Sequence, residues 1–579
     1  MRGFGLGRGS SLSRRWVRWS CGAGVVLLCA CAAPVQQELA PDAGTARATI
    51  DGSTGDATAF SPVPARCTLG VPAASPAWLR DGVGYQIWVR SFADSDGDGI
   101  GDLKGILSKL DYLNDGKPGG DDLGVDVLWL SPIFVSPSDH GYDTTDYAAI
   151  QPAYGTQADL KALLDAAHKR GVRVMLDLVL NHCSDIHPWF QQAGASASSP
   201  YRPWFSWRAD NPGWTQPWGK SAVWHKHAKG GYYYGLFWQG MPDLNLAHEP
   251  AAAALEQIAK DWVALGVDGY RLDAARYLIE TGGGAGQADT APTHAFWKRL
   301  RKALVAVNPN VALVGEVWTN TKTVATYLQG DELHGAFDFD SCGGLRKAIE
   351  LHAAGAWRTP LCDSSAVAGG VWGRFAGNHD MPRLADTATT PGMLKLALAA
   401  VLLLPGTPWI YQGDELGLPS GPDGGDRRYR LPLPWTPQAP GFGFTSGTPW
   451  MAVPASYGAK SVATQASDAF SALRWVRRLV ALRAATPALR HGPARVLALD
   501  QTFQRDIDSD AVVVQLGELT GGQAGRALVV LNFSADKAVV VPSALLAGAE
   551  RVLGFVGTGA EDKALAATVS APGVGVWRW

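Results

Sequence analysis

Short runs of consecutive apolar residues recur along the chain, separated by segments with helical spacing. The first three runs are Tyr85-Gln86-Ile87-Trp88-Val89, Val127-Leu128-Trp129-Leu130 and Val172-Arg173-Val174-Met175-Leu176-Asp177-Leu178. Others end near Asp273, Glu316, Asp338, Gly377 and Tyr411. Continuous rather than alternating hydrophobicity marks strands covered on both faces, as in parallel sheets. Between the second and third runs, Thr156 with Asp159 three residues on reads as a capping box. Leu160, Leu163, Leu164 and Ala167 then form one apolar stripe, and Gly171 stops the helix. Helical patterns at 252–265 and 295–307 separate later runs. Eight strands alternating with helices predict an α/β fold, a (β/α)8 TIM barrel, over 76–182 and 246–486.

Two stretches break this rhythm. Residues 183–245 are too long for an ordinary strand-to-helix loop and read as an inserted subdomain roofing the barrel's C-terminal face. From 487 to 579 the pattern changes to short runs at 511–516, 527–531, 539–541 and 573–579 with turn signals between them. This predicts a small antiparallel β-domain of sandwich type. At the other end, 32–75 is rich in Ala, Thr, Ser, Gly, Asp and Pro and reads as a flexible tether. Residues 1–31 read as an export signal: Arg14, Arg15 and Arg18 precede Val25-Val26-Leu27-Leu28, a run too short to span a bilayer. Leu28-Cys29-Ala30-Cys31 resembles a bacterial lipobox with Cys31 as the acylated residue, an ordinary cleaved signal being the alternative. The expected location is therefore the bacterial cell envelope, with the membrane touched through the lipid alone.

Composition narrows the function. A net charge of −2 on 579 residues argues against a nucleic-acid partner. The 23 Trp are unusual; indole rings fill large cores and also stack on the flat C–H faces of sugars. Trp204, Trp207, Trp214, Trp218 and Trp224 crowd the insert. Beyond the signal, Cys67, Cys183, Cys342 and Cys362 allow three pairings; Cys342 with Cys362, close in sequence, is the preferred one, and buried thiols are the alternative.

Asp273, Glu316 and Asp380 each end an apolar run, where a barrel would place them on its C-terminal face. Three such acids suit glycosidic cleavage, which needs one carboxyl to protonate the leaving oxygen and one carboxylate to meet an oxocarbenium-like centre. Arg271 lies two residues before Asp273 and so on the same strand side. Its charge is expected to keep Asp273 ionised, as a nucleophile. Apolar neighbours Leu313, Val314 and Val317 are expected to raise Glu316, as the general acid/base. Asp380, His182 and His379 would hold sugar hydroxyls. A metal-dependent hydrolase is the rival barrel reading, but Asn181-His182 lacks a second histidine at ligand spacing. Separately, Asp94, Asp96, Asp98 and Asp102, with the Ile100 carbonyl, space oxygens at alternate positions around Gly97 and Gly99, a pattern suited to structural Ca2+ or to a plain acidic turn. No organic cofactor is expected.

These residues sit in motifs that resemble the α-amylase family, glycoside hydrolase family 13. The motifs are Asp177-Leu178-Val179-Leu180-Asn181-His182, Gly269 through Tyr277, Gly315-Glu316-Val317, Phe375 through Asp380, and Gly141-Tyr142-Asp143-Thr144-Thr145-Asp146-Tyr147. The resemblance implies a retaining hydrolase of α-glucans, with a covalent intermediate on Asp273. It further implies that Tyr142 stacks under the sugar and that Asp143 and Arg430 grip its non-reducing hydroxyls. Met241-Pro242-Asp243-Leu244-Asn245 is similar to members intermediate between oligo-1,6-glucosidases and neopullulanases, a group that includes lipoprotein α-amylases. Where many α-amylases carry Ala-Lys-His, this chain has Ala275-Arg276-Tyr277. Arg276 would keep a cation for leaving-side sugars and Tyr277 would offer a stacking face. An α-amylase cleaving α-1,4 bonds is the reading favoured. An α-glucosidase or oligo-1,6-glucosidase, a transglycosylase such as trehalose synthase, and a non-catalytic glycan-binding protein are the alternatives.

Overall fold

The computed structural model describes residues 65–69, 75–365, 370–490, 493–497, 510–517, 525–556 and 567–579. The signal, Cys31 and most of the tether lie outside these residues.

The apolar runs form eight parallel strands: β1 (Gly84–Ile87), β2 (Val127–Leu130), β3 (Arg173–Leu178), β4 (Gly269–Leu272), β5 (Ala312–Gly315), β6 (Gly335–Phe337), β7 (Val371–Arg374) and β8 (Thr407–Tyr411). They close into a barrel in sequence order, β8 pairing with β1. Side chains alternate along each strand. Leu128, Leu130, Val174, Leu176, Tyr270, Leu272 and Leu313 pack outward against the helices. Val127, Trp129, Met175, Ala312, Val314, Phe337 and Trp409 form a separate cluster that fills the lumen. Gly84 makes room for one of these indoles, since a Cβ there would lie 2.3 Å from Trp409 Cε3. The expected capping box is present: Thr156 N–H donates to Asp159 Oδ2 at 2.9 Å and Thr156 Oγ1 accepts from Asp159 N–H at 3.3 Å.

Between β3 and the helix Glu249–Leu265 the chain forms a three-stranded sheet of Trp207–Arg208, Trp224–Lys226 and Tyr232–Tyr234. An antiparallel bridge between His182 and Asp243 joins its two ends, so the insert rises from the mouth of the barrel. The C-terminal region contributes an antiparallel sheet, ordered Ala65–Leu69, Ala494–Leu497, Ala511–Leu516, Ala527–Asn532, Gly573–Arg578, Glu550–Val556. One face meets the barrel side through helix Pro391–Leu402, buried all round because it lies between the two. The other face packs Val513, Val530 and Trp577 against the ribbon of Val539–Val540 and Thr568–Val569.

Two expectations are corrected here. Residues 65–69 are not tether: Ala65 through Leu69 pair with Leu497 through Ala494 as the sheet's edge strand. Cys362 is bonded to Cys67, not to Cys342, with a Cα–Cα distance of 5.6 Å across 295 residues of sequence. Sequence proximity misled because Cys342 faces the lumen-side cluster, whereas Cys362 lies on helix Gly355–Ser365 beside that edge strand.

Candidate active site

The alternation that fills the lumen also delivers the polar groups to its top. Continuing the inward set by twos leads from Met175 to Asp177, from Gly269 to Arg271 and Asp273, and from Val314 to Glu316. Register places Arg271 directly across from Asp177. Arg271 is 1% exposed, and a guanidinium so deep needs partners for its donors. Its Nη1 donates to Asp177 Oδ1 at 2.8 Å and to Asp273 Oδ1 at 2.7 Å. Its Nη2 meets Glu316 Oε2 at 2.9 Å. Asp273 and Glu316, 43 positions apart in sequence by number, are thereby held on one guanidinium. Glu316 Oε2 also accepts the Ala274 N–H at 3.0 Å; Ala274 has φ of 49°, unusual for a residue with a Cβ.

Asp380 belongs to the same cluster. Its Oδ1 accepts from Arg430 Nη2 at 2.6 Å, and its Oδ2 lies 2.9 Å from His379 Nε2. Gln86 Nε2 lies 2.7 Å from His379 Nδ1. With the amide as donor, the ring proton sits on Nε2, facing Asp380 and the Tyr142 hydroxyl at 2.6 Å. Tyr142 in turn donates to Asp177 Oδ2 at 3.0 Å, and its ring lies nearly parallel to that of His379 with centroids 5.5 Å apart. The Arg430 guanidinium rests over Trp88 at 4.6 Å. His182 is buried, and its Nε2 has no hydrogen-bond partner among the described residues. Such an orphaned atom suits a hydroxyl of a bound sugar.

Two expected substrate contacts have other partners. Asp143 Oδ1 accepts from Ser136 Oγ at 2.6 Å and from Ser138 Oγ. Arg276 binds both carboxylate oxygens of Asp289, Nε at 2.9 Å and Nη2 at 2.5 Å, and donates from Nη1 to the Trp318 carbonyl at 2.9 Å. Among the insert's indoles, Trp224 is buried, Trp204 packs on Trp189, and Trp207 lies under the Arg202 guanidinium at 3.4 Å. Trp214 packs against Trp224, whereas Trp218 is 42% exposed.

The electrostatics differ from the sequence expectation. Burial pushes Asp273 and Glu316 both up to about 7, and Arg271 offsets this only in part. Burial also raises Asp177 to about 6. One guanidinium is shared among three carboxylates, so it does not single out Asp273 for ionisation. Burial works against the charge of Asp380 too, but His379 and Arg430 outweigh it and hold this carboxyl well below the usual range. His182 is lowered to about 3 and His379 to about 4, both through burial, so each is neutral. Four carboxylates (Asp177, Asp273, Glu316, Asp380) thus face two guanidiniums (Arg271, Arg430). The cluster favours a proton shared between Asp273 and Glu316, or a cation placed between them.

The acidic loop after β1 is partly as expected. Oxygens of Asp94, Asp96 and Asp102 lie within 4.8 Å of one another. Asp98 stands outside this group; its Oδ1 accepts the Ile100 N–H at 2.7 Å. Gly99, at φ of 91°, has no room for a side chain, since a Cβ would come 2.0 Å from the Thr448 carbonyl.

The α-amylase catalytic-domain model matches residues 86–492. The chain belongs to the α-amylase family. It is 37% identical over 375 residues to α-amylase 3 of Dictyoglomus thermophilum, covering 62% of this chain and 68% of that one. It is 33% identical over 487 residues to a trehalose synthase/amylase of Mycolicibacterium smegmatis, covering 72% and 78%. The crystal structure of an α-amylase from H. orenii superposes with a TM-score of 0.74 at 32% identity, covering 86% of this chain and 99% of the other. The protein is therefore a retaining glycoside hydrolase of the α-amylase family, acting on α-glucans.

Three members of the cluster were not singled out as site residues by sequence reasoning: Asp177, Gln86 and Trp88. The signal was available for Asp177 and Gln86, polar residues at inward positions of apolar strand runs where burial demands partners; Trp88 packs with Tyr142, Val179, Met241 and Tyr411 like any core indole and carried no separate signal.

Proposed function

We propose that the protein is an α-amylase that cleaves α-1,4 bonds of starch and maltooligosaccharides from within the chain. The observation that carries the mechanism is the single Arg271 guanidinium bound to both Asp273 and Glu316. In this reading ionised Asp273 attacks the anomeric carbon while protonated Glu316 gives its proton to the departing oxygen. Glu316, now a carboxylate, then takes a proton from the water that releases the sugar. The negative excess of the cluster stabilises the oxocarbenium-like transition state more than the neutral ground state. Asp380, kept ionised by Arg430, and neutral His182 and His379 hold ring hydroxyls. Tyr142 supports the ring, with Arg430 at its far end.

The name of the Dictyoglomus relative supports hydrolysis, and that of the mycobacterial relative keeps transfer as the second reading. Product chromatography from maltoheptaose over time tests this. Mixed short oligomers at early times are expected. Glucose as sole early product overturns endo cleavage, and products longer than seven units favour transfer.

The Asp94, Asp96 and Asp102 cluster supports structural Ca2+, with Asp98 and the Ile100 carbonyl as further candidate oxygens of the same loop. Export and anchoring through Cys31 belong to the same proposal, and an unacylated Cys31 in the membrane fraction, read by mass spectrometry, would overturn them.

A further inference from the structure

All three nitrogens of Arg276 are engaged: two on Asp289 and one on the Trp318 carbonyl, with the guanidinium 5.4 Å over the Tyr277 ring. This leaves no free fork for a sugar. Asp289 is itself unusually fixed. Its φ is 55°, a conformation residues with a Cβ rarely adopt. Its N–H donates to the Arg276 carbonyl at 2.9 Å, and Tyr327 donates to its Oδ1 at 2.8 Å. The segment so clamped runs from Glu316 to Trp318 on one side and from Asp273 to Tyr277 on the other. Around it lies an aromatic rim. Trp318 is 40% exposed and stacked on Phe339 at 4.5 Å, and Trp218, 42% exposed, lies 5.3 Å from Tyr277.

We infer that Asp289 is a positioning residue: by clamping Arg276 it fixes the Trp318 carbonyl, and so sets the face that Trp318, Tyr277 and Trp218 present to the leaving-group sugar. Recognition on this side is then by stacking rather than by a cation. The inference rests on the α-glucanase reading, because that reading makes Glu316 the residue facing the departing oxygen.

The test compares maltoheptaose with α-maltosyl fluoride, whose leaving atom occupies no leaving-side sugar site. Asp289→Asn should raise KM for maltoheptaose about 2- to 10-fold, the range of a lost aromatic contact, while kcat/KM for the fluoride changes less than about twofold. Asp289→Glu, which keeps the carboxylate, should recover part of the loss. Trp218→Ala, at the exposed rim, should show the same split without touching the clamp. A purely structural role would lower both substrates in parallel with Tm, and that outcome overturns the inference. Calorimetric affinity of maltoheptaose for Asp273→Asn protein, with and without Asp289→Asn, reads the same platform without turnover; equal affinities also overturn it. Wild-type protein inert toward both substrates would refute the proposed function, while the affinity comparison still decides the role of Asp289.

Discussion

Replacing Asp273 by Asn should stabilise the protein, and only at neutral and alkaline pH. Asn keeps an oxygen for Arg271 Nη1, now 2.7 Å from Asp273 Oδ1, and removes one of four crowded carboxylates. The sign follows from the proton balance. The folded pKa of Asp273 is raised from 3.8 to about 7, so the folded state binds more protons than the unfolded chain between those values. Its favourable protonated form is fully present below pH 4, and that stability is lost as pH rises through 7. A rise of this size corresponds to at most about 4 kcal/mol, at about 1.4 kcal/mol per unit. Because Glu316 competes for the same proton, roughly 2 kcal/mol is the working figure at pH 8. Differential scanning calorimetry of wild type and variant at pH 4 and pH 8 reads it. A Tm gain at pH 8 that shrinks toward zero at pH 4 is expected. An Asn variant less stable than wild type at pH 8, or equally shifted at both pH values, would refute the idea that this site stores electrostatic strain for catalysis.

Two further outcomes follow, one from the fold and one from the proposed Ca2+ site. Cys67→Ser with Cys362→Ser frees an edge strand tied to the barrel across 295 residues of sequence; an unfolding free energy lower by about 2–5 kcal/mol is expected in chemical denaturation, and unchanged stability would mean the strand is held by its sheet pairing alone. Chelation should lower Tm and added Ca2+ should restore it, the unfolding free energy rising by about 2.7 kcal/mol when free ion is a hundredfold above Kd. Asp96→Ala should abolish that response, and an unchanged response in this variant would remove the acidic loop as the site.

How much of this was legible beforehand depended on the range of the forces involved. The barrel was readable because each strand is an apolar run of its own, and Thr156 with Asp159 marks a helix end within four residues. The meeting of Asp273, Glu316 and Asp380 at the barrel mouth was readable because all three close such runs. What escaped were properties set by neighbours remote in sequence. The bond from Cys362 to Cys67 depends on an edge strand whose pairing partner lies more than 400 positions away. The ionisation of Asp273 depends on how many carboxylates share Arg271. Reading Arg271 and Asp273 alone makes them an ion pair; adding Asp177 and Glu316 turns the same guanidinium into the centre of an anionic excess. Arg276 repeats the lesson with opposite effect, since Asp289 on the next segment takes the charge that the sequence offered to substrate. In both cases the residue was found and its partner count was not. That count decides the chemistry, because a buried charge acts through its unpaired remainder rather than through its formal sign.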